Sequence, residues 1–421
     1  MPSPTASVPP RPASTLNRRV QTAAGAHSFG NNFRWTLVAF VVTAHFGLGA
    51  LGLVSAAGLA GQGAGFLAAG SAVASRGPRR LLGSGAAASL AAQAVLLACL
   101  LGGAPLAALV AANLVGGVAL QIFGMAAKSA AVTCAEPGGV AAAVAGASAA
   151  ANVGSYAGAM AGAVVWALGG LPVEAAGSAV LLALTLTGVD AGRRRHWSAA
   201  GVSADPDRDA ATLAGPGRVM TQSWRLLGLA FTVAVATTGP MMLLAGIVAA
   251  SVGAVWVAPA SAVAAVASVA VIRAARRLGD PTRVEVGLIS GCALGAGAVF
   301  AVPDQVAALL GAVAVATFCS VLAGSRLEAL IVGRSSAQHR PLAQSMVAAA
   351  ATFGSAVGAW TLPVMEATAA HSSLPHPSPL EAATLAFGVG GALLVVGSRH
   401  LDRRLRRAGA WLRARDLAPA D

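Results

Sequence analysis

The sequence predicts an all-α polytopic membrane protein, with twelve transmembrane helices in two pseudo-symmetric six-helix bundles. Three observations predict it. The mean hydropathy is +0.73, and 56% of residues are hydrophobic against 10% charged, a balance outside that of soluble domains. Apolar runs of about 20 residues, the length a bilayer core requires, fall six on either side of one polar connector. Finally, the stretch Ala149-Ala150-Ala151-Asn152-Val153-Gly154-Ser155-Tyr156-Ala157-Gly158-Ala159 recurs 200 positions later as Ala349–Ala359, with a shared Gly-Ser-x-x-Gly-Ala frame. A repeated helix of this kind points to two related halves meeting around a central axis.

In chain order, residues 1–33 are rich in Pro, Ser and Thr, carry a basic pair at Arg18-Arg19, and read as a disordered cytoplasmic tail. An N-terminal bundle over 34–191 contains spans expected near 35–51, 53–74, 81–102, 105–127, 139–168 and 172–191. Residues 192–224 form a cytoplasmic linker that opens on Arg193-Arg194-Arg195. A C-terminal bundle over 225–398 contains spans near 226–248, 252–272, 285–302, 305–325, 342–365 and 380–398. The tail 399–421 places Leu401, Leu405, Ala408 and Leu412 on one stripe among arginines. That pattern predicts a helix lying on an anionic inner leaflet, with a protein-docking tail as the alternative.

Charge placement orients the chain. With both termini cytoplasmic, this division assigns all 28 Lys and Arg residues to one side, as the positive-inside rule requires. The net charge of +13 is then topological and gives no support to nucleic-acid binding. A single Lys128 beside many arginines, in an Ala- and Gly-rich chain, reads as a bacterial protein, expected in the cytoplasmic membrane.

Gly154, Gly158 and Gly162 fall four apart, which stacks three bare patches on one helix face. Such a face lets a second helix approach closely in lipid, where packing must supply the attraction. Gly354 and Gly358 repeat it in the second half.

After the second expected span the chain reads Gly70-Ser71-Ala72-Val73-Ala74-Ser75-Arg76-Gly77-Pro78-Arg79-Arg80. This resembles the loop signature G-x-x-x-D-R-x-G-R-R of the major facilitator superfamily: Gly70, Gly77, Arg79 and Arg80 match, while Ala74 and Ser75 stand where the family has Asp and Arg. The equivalent second-half loop keeps a weaker version at Arg276-Arg277-Leu278-Gly279. The glycine face also resembles the family's fifth-span motif, although Gly158-Ala159 lacks the Gly-Pro step found in many antiporters. The resemblance covers about residues 34–400 and implies alternating access of a central cavity. It departs from the family in a short first hairpin, only 43 positions separating Arg34 from Gly77.

In that family, spans one, four, seven and ten line the cavity, so the resemblance makes His45, Asn113, Gln121 and Thr238 cavity candidates, with Asn152 and Tyr156 on span five. Each must find a partner or water at membrane depth, and an interhelical hydrogen bond would serve as well as a substrate contact. His45, the titratable group expected deep in span one, is the candidate for a coupling proton. Lys128 and Glu328 occupy equivalent positions and form either a gate pair or two snorkelling interface residues.

Cys99, Cys134, Cys292 and Cys319 show neither metal spacing nor a disulfide framework. His371 and His376 lack further ligands nearby. Neither a nucleotide loop nor a Ser/His/Asp or paired-carboxylate constellation is present. The expectation is a secondary transporter without cofactor or metal, exporting a small, weakly charged molecule along an ion gradient. A non-transporting sensor or assembly partner with the same fold is the alternative.

Overall fold

The computed structural model describes residues 12–134, 140–200, 252–277, 306–334 and 340–370, with isolated positions between 227 and 248. Every regular element among them is helical. Among the described residues six helical segments are long and apolar enough to cross a membrane, two of which are broken by a glycine with non-helical backbone.

The first element, α1 (Pro12–Arg76), breaks at Gly47 into legs α1a (12–46) and α1b (48–76). Gly47 has φ 85° and ψ 172°, a backbone that side chains with a Cβ rarely adopt. Helix α2 (Pro78–Leu101) starts on a proline that fits the first helical turn. Helix α3 spans Leu106–Thr133. Helix α4 (Val140–Leu181) breaks at Gly170, φ 62°, just before Pro172, giving α4a (140–169) and α4b (171–181). A 3₁₀ turn, Leu182–Thr185, leads to α5 (Leu186–Ala191) and then α6 (Arg194–Ala199). In the second half lie α7 (Val257–Arg277), α8 (Val306–Arg334) and α9 (Arg340–Ala370).

The N-terminal tail expectation is corrected. Residues 12–33 are helical, and Leu16, Val20, Ala23, Ala24 and His27 are buried. Leg α1a is thus roughly 50 Å long at 1.5 Å per residue, well over a bilayer core of about 30 Å. The first hairpin is not short; its first helix begins about twenty residues before the apolar run. Arg34 is therefore misplaced in the charge division above: it is 4% exposed inside α1a.

The linker expectation is refined at its start. Trp197 of α6 is 1% exposed, donates Nε1–H to the Ala191 carbonyl at 3.0 Å, and packs with Leu16 and Leu82. Residues 201–224 and the tail 399–421 lie outside the described residues.

The glycine face of α4a lies on α1a. A Cβ at Gly154, Gly158 or Gly162 would strike the backbone carbonyls of Gly25, Phe29 and Phe33 in turn, the same four-residue step on both helices. In the second half, Gly354 meets the Phe231 carbonyl in the same manner, and Gly358 is buried. The two copies of the repeat therefore make equivalent close contacts.

The halves join along two seams. On one, Ser345 of α9 donates to the Phe66 carbonyl of α1b at 2.9 Å, with Gly70 packed directly against Ser345. On the other, α4a packs against α7. Arg76, Arg79, Arg80, Lys128 and Arg193–Arg195 mark one end of the molecule, called the basic end below. At the opposite end, one apolar cluster draws on both halves: Leu37–Val42 and Leu48–Val54 against Val257, Ala260, Leu309 and Val313.

Candidate functional site

A cavity of about 430 Å³ lies between the halves. Its walls come from α1a, α1b, α3, α4a, α7 and α8. The α1a wall is a helical stripe, because His27 and Asn31, and likewise Ser28, Asn32 and Trp35, step by four and three residues onto one face. The apolar seal closes the end away from the basic loops, and Lys128 stands in the wall toward them.

Most of the polar groups in this wall are held by neighbours. Asn32 Nδ2 donates to Ser155 Oγ at 3.0 Å and to the Ser28 carbonyl at 3.1 Å. Gln121 Nε2 donates to Gln62 Oε1 at 2.9 Å. His27 is buried 4.3 Å from the Phe123 ring, with Ser89 Oγ at 3.4 Å from Nε2. Tyr156 sits near Ser268 and Thr317, two buried hydroxyls that face its phenol group.

A smaller chamber of about 80 Å³ adjoins the cavity within the first half and shares Asn31, Asn32, Trp35, Gln62 and Leu120 with it. Arg34, Gln93 and Asn113 line it. Asn113 donates to the Val54 carbonyl at 2.7 Å, and Arg34 Nη2 donates to Asn31 Oδ1 at 2.8 Å.

The sequence candidates divide accordingly. Gln121, Asn152 and Tyr156 line the main cavity and Asn113 lines the chamber. His45 lies elsewhere: it is exposed two residues before the Gly47 turn, its Nδ1 2.9 Å from the Val41 carbonyl. The apolar run that suggested mid-membrane depth is the end of a longer helix. Thr238 lies outside the described residues. Lys128 and Glu328 do meet, Nζ to Oε1 at 3.6 Å. In the loop motif, Gly77 turns the chain into α2 with φ 75°, and the Arg79 carbonyl lies against Gly192.

Sequence reasoning missed His27, Asn31, Asn32 and Arg34, all assigned to the tail or its edge. It also missed Glu174, which is fully buried against Gly162 with neither carboxylate oxygen partnered. The signal for the first four was their helical spacing; their polarity hid the span that carries them. Among the described residues no cluster of His, Cys, Asp or Glu could hold a metal ion.

No protein-family model matches the chain, and no curated protein matches it by sequence. Solved structures do match. The human organic anion transporter MFSD10 (TETRAN) aligns at a TM-score of 0.63 and 14% identity, over 92% of this chain and all of that one. The E. coli fucose:proton symporter FucP aligns at 0.60 and 12% identity, over 93% and 99%. This chain has the major facilitator fold. The fold accounts for the inter-half cavity and for the paired seams around it, and it agrees with the six described segments long and apolar enough to cross a membrane.

Proposed function

We propose that this protein is a secondary transporter that moves a small molecule across a bacterial cytoplasmic membrane by alternating access. In this reading twelve spans form two six-helix bundles, the basic end faces the cytoplasm, and both termini lie on that side. The observation that carries it is the cavity of about 430 Å³ between halves, with an apolar seal at one end and a polar pair, Lys128–Glu328, at the other. Rocking the halves would exchange which end is closed. Export fits this arrangement, because the cavity wall reaches Lys128 at the end assigned to the cytoplasm, where an outgoing substrate would load. An ion gradient is the proposed source of energy.

The test is flux into and out of proteoliposomes holding the full chain, using labelled solutes chosen by profiling a deletion strain against an overexpressing one. Saturable flux that responds to an imposed ion gradient supports the reading. Absence of flux for every solute that binds would favour a sensor or assembly role for the same fold.

A further inference from the structure

The transporter fold explains the cavity but not the charge buried beside it. Arg34 is 4% exposed within the first membrane-crossing helix, and only Nη2 has a partner. Its Nε and Nη1 are buried and donate to nothing. Guanidinium stays charged in proteins, and leaving a buried charge uncompensated costs several kcal/mol. Intramembrane charges almost always pair or face a water-filled path.

Among the described residues no carboxylate pairs with Arg34. None of the described residues lining the chamber is acidic. Glu174, a buried acid in the chain's first half, lies beside Gly162 where that glycine packs on Phe33 and Thr36, while Arg34 faces the chamber with Gln93 and Asn113. The chamber is therefore a pocket of mixed polar and apolar lining whose described residues carry a net positive charge, opening beside a larger cavity. That cavity offers aromatic walls in Trp35, Phe66, Phe123 and Tyr156.

Size and charge narrow the ligand. A volume of about 80 Å³ corresponds to roughly two or three waters at ~30 Å³ each, enough for one carboxylate group and too little for a whole organic molecule. One guanidinium balances one negative charge. A phosphate monoester would bring a second, and Lys128 at the mouth is the only other Lys or Arg among the described residues lining the two spaces.

We propose that this chamber is an anion subsite and that the substrates are small monocarboxylates. The carboxylate rests on Arg34, accepting from one of its two unpartnered donors, Nε–H or Nη1–H, and an apolar body occupies the main cavity between Trp35 and Phe123. This rests on the transport reading for its physiological meaning, but binding can be measured without flux.

The experiment is thermal unfolding of the purified full chain in detergent with benzoate and hexanoate, against the neutral isosteres benzamide and hexanamide and against inorganic phosphate. The carboxylates should raise the unfolding temperature saturably, with midpoints at least about tenfold lower than those of the amides, as loss of a charge-assisted contact implies. Arg34→Gln should abolish that preference and Arg34→Lys retain part of it. Should Arg34→Gln not fold, the wild-type comparison of acid with amide decides alone. Equal stabilisation by amide and acid, stronger stabilisation by phosphate, or no response to any carboxylate would overturn the proposal. Carboxylate binding without flux would keep the subsite and reject transport. Flux of neutral solutes with no carboxylate preference would do the reverse.

Discussion

Lys128 Nζ and Glu328 Oε1 stand 3.6 Å apart across the two halves, and Gln344 Nε2 donates to the same Glu328 oxygen at 2.6 Å. The two charged residues occupy positions 200 apart in a chain whose helical repeat has the same offset. Each side chain is 22% exposed, so the pair is partly screened, and such pairs contribute about 1 kcal/mol or less. That is enough to bias a two-state equilibrium several-fold.

Removing the pair should loosen the basic end. Lys128→Ala and Glu328→Ala are each expected to speed labelling of a cavity cysteine, Ser148→Cys, by a reagent added from the basic side. The exchanged pair Lys128→Glu with Glu328→Lys should restore slow labelling. Unchanged labelling in both single variants would show that the contact does not hold this end closed.

The glycine faces make a sharper claim about stability. Gly158→Ala and Gly354→Ala each place a Cβ onto a backbone carbonyl, Phe29 or Phe231, and backbone cannot swing aside. Overpacking of this kind costs ~1–3 kcal/mol. Gly83→Ala is the control, since a Cβ there meets nothing within 4 Å. It should be neutral or stabilising by about 0.5–1 kcal/mol. Thermal unfolding in detergent separates the three, and a Gly158→Ala protein as stable as Gly83→Ala would refute the close contact.

Orientation is tested with exposed positions at either end. In a background lacking the four cysteines, His45→Cys should react with an impermeant reagent in intact cells. Ser75→Cys should react only after permeabilisation. The reverse pattern would invert the topology and, with it, the proposed export direction.

These tests bear on features that were unequally legible in the sequence. The Gly154–Gly158–Gly162 face and its second copy were readable because close packing needs bare positions at a fixed step, and alternatives to glycine are few. Helix ends at Leu101, Leu106 and Gly170 fell close to expectation because Gly and Pro punctuate an otherwise uniform apolar text. The first helix was not readable by hydropathy. His27, Ser28, Asn31, Asn32 and Arg34 lower the average over the very segment that lines the cavity, so a window tuned to lipid rejects the helix that faces water. The repeat marked Lys128 and Glu328 as equivalent positions but left a gate pair and two separate interface residues open; the burial of Glu174 was not readable at all, because it depends on packing beside Gly162.

The last prediction replaces His45 as the coupling group. His45 is exposed at the end of α1a, where a proton would exchange with one side in every state. His45→Gln should leave gradient-driven uptake or release unchanged. Glu174 has the contrasting setting: it is 0% exposed and both carboxylate oxygens lack partners. It lies beside Gly162, the glycine that packs on the α1a turn from Phe33 to Thr36, the turn that contains Arg34, so a change in its charge would act on the helix that carries the anion chamber. An unpaired buried carboxylate costs several kcal/mol, whereas the neutral acid costs far less. Glu174→Gln imitates the neutral acid, and the unfolding temperature should therefore stay the same or rise. The same substitution removes the proton that can be released, so transport driven by an imposed pH gradient should fail while exchange down a solute gradient continues. If uphill transport persists in Glu174→Gln, the carboxyl is a packing residue and the driving ion acts elsewhere. If Glu174→Gln instead loses several degrees of stability, the carboxylate is charged and satisfied in the membrane, contrary to the geometry described above.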